Sequence, residues 1–269
     1  MEIFELHRGT SPVILAFPHT GTCVPPEIQD RLNDNGKILA DTDWHIHQLY
    51  RGLLPGASTI RATHHRYVID VGRDPTGVSL YPGQNTTGLV PETDFDGVPI
   101  WAEGGFADAA EIERRLAVFH APYHAALTAE VERVRAAHGV AILFDCHSIR
   151  SNIPFLFQGT LPDFNVGTAD GKSCAPAVEA AVYDVARAAE GYSSVLNGRF
   201  KGGWTTRHYS NPAGGVQTIQ LELAQATHLV AEAPPFELDP SKSERLRAQL
   251  GEMLQRLEAL APSLAEAKP

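Results

Sequence analysis

The stretch that most constrains this chain is residues 140–151, V-A-I-L-F-D-C-H-S-I-R-S, where an unbroken apolar run closes on Asp145, Cys146, His147 and Ser148. A run this short, with β-branched and aromatic members, reads as a strand buried on both faces. Polar groups at the carboxyl end of such a strand sit where open α/β sheets place their ligands. The stretch therefore predicts an α/β sheet with His147 at its rim, as a metal ligand, a catalytic group or a structural loop histidine.

The rest of the chain supplies partners for that strand. Val13–Phe17 (V-I-L-A-F) is a second buried run, and it enters Pro18-His19-Thr20-Gly21, so a second histidine stands at a strand end. Two such histidines on one sheet rim favour a metal site more than either does alone. Further strands are expected at Ser58–Ala62, 66–71, Ser194–Leu196 and 216–223. The last, V-Q-T-I-Q-L-E-L, carries Glu222 in its polar set. A carboxylate near a buried strand end is costly to ionise, which raises its pKa and suits a general base; on a half-exposed strand it would simply be solvated.

Helices are expected at 41–54, 109–138, 177–189 and near the C-terminus, through Leu246, Leu250, Met253, Leu257 and Leu260. The helix at 109–138 has Ile112, Leu116, Phe119, Tyr123, Leu127, Val131 and Val134 at intervals of three and four, and Pro122 is expected to kink it. Its His120 and His124 have metal-ligand spacing but no intervening glutamate of the H-E-x-x-H kind, and read as ordinary helix residues. In the 41–54 segment, Asp41, Asp43, His45 and His47 crowd the first turns. Asp43 fits either a helix cap or a metal carboxylate. Arg73 follows a strand end beside Gly72, placed to grip a carboxylate or to pair with Asp70 or Asp74. Residues 78–105, rich in Gly, Pro, Thr and Asn, form a long loop with a hairpin expected at Asp96-Gly97. A turn region is expected at 163–171. Residues 197–209 hold Arg199, Lys201 and Arg207 among Gly and Asn, a flexible cationic loop of the kind an anionic small substrate needs.

Composition narrows the classes. At 269 residues and 43% hydrophobic, the chain can bury a substantial core, most simply as a single domain. A net charge of -10 without a Lys/Arg cluster excludes a phosphate footprint, so no nucleic-acid partner is expected. No apolar run approaches a membrane span, and the acidic start lacks a signal peptide's basic region. Three widely spaced cysteines (Cys23, Cys146, Cys174) argue against a disulfide framework and for a reducing cytoplasm.

Collected, the strand-end groups are His19, Asp43, His147, Glu222 and several arginines. Two imidazoles and one carboxylate make a three-ligand catalytic zinc set with an open position. Zinc activates water and polarises a carbonyl, and an unligated glutamate can shuttle the proton to a leaving amine. If these groups converge, the reaction class expected of them is amide hydrolysis.

Motifs along the chain carry a resemblance: F-P-H-T-G at 17–21, D-T-D-W-H at 41–45, R-Y-V-I-D-V-G-R-D-P at 66–75, D-C-H-S-I-R-S at 145–151, D-F-N-V-G-T-A-D-G-K-S-C at 163–174, G-R-F-K-G-G-W-T-T-R-H-Y at 198–209 and Q-L-E-L-A-Q at 220–225. Together these resemble the N-formylglutamate amidohydrolase (deformylase) family of histidine degradation, which is similar in architecture to zinc carboxypeptidases and aspartoacylases. The resemblance implies one hydrolase domain over 1–269, with a central mixed, largely parallel sheet flanked by helices. It implies a zinc ion, or another divalent metal, on His19, Asp43 and His147. Glu222 would be the base, and Asp145 would orient a histidine. Arg73, Arg150, Arg199, Arg207 and His208 would bind a small dicarboxylate. Two departures stand out. No glutamate follows His19 in an H-x-x-E motif, so Asp43 is chosen as the carboxylate ligand over Asp41 and His45. The related D-x-N-R motif appears as Asp70-Val71-Gly72-Arg73, without the Asn amide. Competing readings are a related metallo-amidohydrolase or carboxypeptidase acting on another N-acyl amino acid or peptide, and a non-catalytic binder of small anions. The resemblance leaves the oligomeric state open.

Overall fold

A computed structural model describes residues 2–79 and 83–266. Its centre is one seven-stranded sheet built from β1 (Phe4–His7), β2 (Val13–Phe17), β3 (Ser58–Ala62), β4 (Ala141–Ile149), β5 (Phe164–Gly167), β6 (Ser194–Leu196) and β7 (Val216–Ala224), in the order β1-β3-β2-β4-β7-β5-β6. β3, β2, β4 and β7 run parallel. β1 is antiparallel to β3, and β5 is antiparallel to β7 and parallel to β6. This is the mixed, largely parallel sheet that the family resemblance implies.

Helices cover both faces because both faces are apolar, while the short α1 (Pro26–Gln29) packs its Ile28 in the loop cluster with Tyr67, Val68 and Ile69. Val13, Leu15 and Phe17 of β2, with Ile142, Phe144, Ile219 and Leu221, pack against α2 (Ile46–Tyr50), α5 (Pro176–Ala188) and α7 (Pro240–Glu266). On the other face, Ile14, Ala16, Ala141 and Leu143 meet Tyr123, Leu127, Val131 and Val134 of α4 (Ala121–His138). On this second face the apolar pattern gives out toward the carboxyl ends. Ala141 and Leu143 are followed by Asp145 and His147, and in register beside them Thr218 is followed by Gln220 and Glu222. Two adjacent parallel strands thus carry four polar side chains in a square, all buried.

Several elements differ from expectation. The 41–54 helix shortens to α2, because His45 adopts φ 61° and turns the chain one residue before it. The 66–71 segment is a series of turns rather than a strand. Part of 163–171 is β5, and 204–209 is α6 (Trp204–Tyr209) rather than open loop. β7 is buried along its whole length, so Glu222 is not on a half-exposed strand. The 109–138 helix is split into α3 (Ala109–Arg115), a π-helical turn at Leu116–His120, and α4. Pro122 has no N–H to close the α-helical ladder, and the Ala121 N–H reaches back to Leu116 instead. The described part of 78–105 is loop, with Thr93 bridging Pro99 around Gly97; residues 80–82 lie outside the described residues. The three cysteines are free, and no described helix is long and apolar enough to cross a membrane.

α3 matters to the site because it pins the 66–73 turns. The buried Arg115 guanidinium donates to the Val68 carbonyl at 2.8 Å, and its Nε donates to Glu111 at 3.0 Å. Glu111 also accepts from Arg31 Nη1 at 2.8 Å. The Arg31 hydrogen bond, with Arg115 and against burial, pulls the Glu111 carboxyl down to about 2 from an ordinary 4.5. Its stabilising contribution is therefore complete above pH 4.5 and is lost as pH falls toward 2. Glu111→Gln should lower the urea midpoint at pH 7, and its gap to the parent should close as pH falls through that window. A gap that did not vary with pH would mean the charge contributes nothing.

Candidate metal centre

The site is assembled at the carboxyl edge of β2, β4 and β7. His19 lies two residues past β2, and its carbonyl accepts the Asp43 N–H at 3.0 Å, which docks the 41–45 turn against the strand end. Asp43 caps no helix. Its Oδ1 accepts Arg66 Nη2 at 2.7 Å, and its Oδ2 accepts the Ser148 backbone N–H at 3.1 Å. That leaves Oδ2 facing both imidazoles. His147 Nδ1 is 3.2 Å from Asp43 Oδ2 and 3.2 Å from His19 Nδ1, and the third side of the triangle is 3.8 Å. Among the described residues His19, Asp43 and His147 form a buried group able to hold a metal ion.

A triangle of this size has its corners about 2 Å from a common point, the bond length of His and carboxylate ligands to zinc. The outer ring nitrogens are backed by carboxylates: His19 Nε2 is 2.6 Å from Asp70 Oδ1, and His147 Nε2 is 3.1 Å from Asp145 Oδ1. Carboxylates there favour a proton on each Nε2 and turn both Nδ1 lone pairs toward Asp43. Three electron-pair donors this close repel one another unless a cation or a proton sits among them. The donor set therefore fits a metal, with Asp70 and Asp145 as orienting groups.

The electrostatics agree. Burial opposes ionisation of Asp43, but Arg66 and the two histidines outweigh it and hold the carboxyl below its usual range. Burial and Arg66 lower the His19 pKa. For His147, burial is overridden by Asp145, Asp43 and Glu222, which raise its pKa well above the ordinary value. Glu222 sits beside His147 in register and is 7% exposed. Burial, against the attraction of His147 and with Asp43 adding, pushes its carboxyl up to about 7. A group poised there can both take and give a proton near neutral pH.

A narrow cavity of about 80 Å³ opens in front of these groups. His19, His147 and Glu222 form its floor, and Arg73 and Arg199 stand on its walls. Arg73 pairs with Asp70 at 3.5 Å and donates to Thr87 at 3.0 Å. Arg199 donates to the Leu156 and Asn85 carbonyls, so it ties two wall loops together. The cavity lining does not include Arg150, Arg207 or His208. Arg150 pairs with Asp96 at 2.8 Å, Arg207 Nε donates to the Gly202 carbonyl, and His208 stacks on Trp204. His120 and His124 bond to the backbone carbonyls of Arg73 and Val71, steadying the loop under Arg73.

Sequence reasoning missed Arg66, which lines the cavity and reaches Asp43 and Asp70, the latter at 3.8 Å. Its only signal was its place in the R-Y-V-I-D-V-G-R motif. Gly72 is explained by contact: a Cβ there would lie 2.7 Å from His19 Nε2 and 3.1 Å from Asp70 Oδ1. The missing Asn is therefore the room that the His19 ring occupies.

A sheet-edge His/Asp/His group beside a buried glutamate is the donor arrangement of metal-dependent hydrolases. The family model for N-formylglutamate amidohydrolase matches residues 11–229, and the chain belongs to that family. It is 46% identical over 257 residues to an N-formylglutamate deformylase of Pseudomonas aeruginosa, covering 95% of this chain and 96% of the relative. A Pseudomonas putida protein of the same name is 43% identical over 259 residues, with the same coverage. The crystal structure of an N-formylglutamate amidohydrolase from Ralstonia eutropha JMP134 superposes with TM-score 0.79 at 25% identity, over 99% of both chains. An Agrobacterium tumefaciens gene product shares the fold, with TM-score 0.72 at 16% identity over 97% of this chain and 96% of that one.

Gly72→Ala should push the His19 ring off the triangle and weaken zinc binding roughly 10–100-fold in a calorimetric titration, with the circular dichroism spectrum unchanged. Zinc affinity equal to the parent's would show that the ring has room to spare.

Proposed function

We propose that this chain hydrolyses N-formyl-L-glutamate to L-glutamate and formate, acting as one hydrolase unit over 1–269. His19, Asp43 and His147 would hold a divalent metal, zinc first among the choices. The observation that carries this reading is the buried triangle of electron-pair donors with Glu222 beside it. The relatives named N-formylglutamate deformylase support the substrate. A zinc ion bound by such a set lowers the pKa of its water to about 7 and polarises a carbonyl.

The chain's own groups divide the remaining work. Glu222 takes a proton from the attacking water at its carboxylate. As the formyl C–N bond breaks and the water oxygen joins the formyl carbon, Glu222 delivers that proton to the leaving amine of glutamate. Burial raises its pKa toward neutrality in the metal-free chain, and a divalent cation at the neighbouring triangle would lower it again, toward the carboxylate that the first transfer needs. Asp145 and Asp70 keep the imidazoles oriented, and Arg66 keeps Asp43 ionised. Arg73 and Arg199, on the cavity walls, are the groups placed to meet the two substrate carboxylates. Arg150, Arg207 and His208 enter only if the walls rearrange around substrate. We assign the reaction to histidine degradation and the chain to the cytoplasm, on the family resemblance and the three free cysteines.

Purified protein should release formate from N-formyl-L-glutamate, lose that activity to a chelator and regain it with zinc. Glu222→Gln should retain the metal and lower kcat about 10²–10⁴-fold. Full activity in Glu222→Gln would remove Glu222 as the base, and activity indifferent to chelation would remove the metal.

A further inference from the structure

Gln220 is a buried side chain that the proposed reaction does not use. It lies on β7 one step before Glu222 on the same face, and it pairs in register with Asp145 on β4. Its amide is held at both ends. Oε1 accepts the Gly203 backbone N–H at 2.7 Å, and Nε2 donates to Glu222 Oε2 at 3.3 Å. The orientation is forced. A backbone N–H can only donate, so the carbonyl oxygen must face Gly203 and the NH₂ must face the glutamate. The Thr206 hydroxyl lies 3.5 Å from the same Oε1 and donates to Asp145 Oδ2 at 3.2 Å.

Gly203 is the N-cap of α6 and ends the lining segment Arg199–Gly203 on the cavity wall, so Gln220 joins that wall to the carboxylate on the floor. The wall segment has little freedom elsewhere. A Cβ on Gly167 would lie 2.5 Å from Gly202 N, and Lys201 O accepts the Ala169 N–H at 2.6 Å. The wall is thereby fixed against β5, and the Gln220 amide carries its position to Glu222.

We propose that Gln220 is a positioning residue. It binds one oxygen of Glu222, leaves the other aimed into the cavity, and makes that aim depend on the wall segment 199–203. This rests on Glu222 being the base. The neutral amide offers an acceptor to Gly203 and a donor to Glu222 without adding charge or a titrating proton. Gln220→Met keeps the length and loses both bonds, and Gln220→Glu keeps the acceptor but sets a second titrating carboxyl against Glu222 in place of the fixed N–H donor.

The test compares both variants with the parent and with Glu222→Gln, measuring kcat and KM for N-formyl-L-glutamate, zinc stoichiometry, and the affinity of the product L-glutamate. In both variants kcat should fall about 10–100-fold. KM, zinc content and L-glutamate affinity should stay within about threefold of the parent. Parent-like kcat in Gln220→Met overturns the proposal, and so does a rise in KM with kcat unchanged. Loss of zinc or of folding in both variants also overturns it, assigning Gln220 to the scaffold. If Glu222→Gln is itself fully active, the functional reading fails first, whatever Gln220 does.

Discussion

The site depends on one buried guanidinium. Arg66 is 5% exposed and lies between Asp43 and Asp70, which are 1% and 0% exposed. Neither acid could remain ionised at that depth alone, since removing one partner of a buried ion pair costs about 3–5 kcal/mol. Through Arg66 the turn at 41–45 and the turns at 66–73 become one rigid unit on the sheet edge. Asp43 can then present one oxygen to the histidines, and Asp70 can orient His19. Arg115 and Glu111 extend the support outward by holding the Val68 carbonyl.

Arg66 does not balance the site fully. Asp43, Asp70, Asp145 and Glu222 converge on it, with Arg73 pairing Asp70 from the cavity side. The deficit of positive charge is expressed in two groups: His147 is driven toward holding a proton by its carboxylate neighbours against the effect of burial, and Glu222 is driven the same way by burial itself. Such a cluster destabilises the fold by its own repulsion and is tolerated at a functional site. A divalent cation held as proposed would supply what the chain lacks, and the residues that cost stability would then define what the pocket accepts.

Much of this was legible in the chain. The apolar runs at 13–17 and 140–144 identify buried parallel strands, and with them the positions of His19 and His147 at one rim. Period-two alternation in V-Q-T-I-Q-L-E-L puts Glu222 on a strand face with Gln220, although covering of that face by α6 is not written in the strand itself. What escaped was set by tertiary contact. The 41–54 segment reads as helical because Trp44, Ile46, Leu49, Tyr50 and Leu53 are spaced for a helix, yet docking of Asp43 against the His19 carbonyl keeps the first turns out of it. Residues 66–71 read as a strand because Tyr67, Val68 and Ile69 form an apolar run, but those three are buried in the loop cluster with Leu89, Ile100 and Trp101 rather than by sheet pairing. Among the arginines, sequence could not separate Arg73 and Arg199 on the cavity from Arg150 and Arg207, because all four stand beside glycines, turns or strand ends.

The central claim is that His19, Asp43 and His147 converge on one cation. Anomalous diffraction above and below the zinc edge, from crystals grown with one equivalent of zinc, tests it directly. The account predicts a single strong peak about 2.0–2.2 Å from His19 Nδ1, His147 Nδ1 and an Asp43 oxygen. A peak on other ligands, or a zinc-replete crystal with no peak at this triangle, would contradict it.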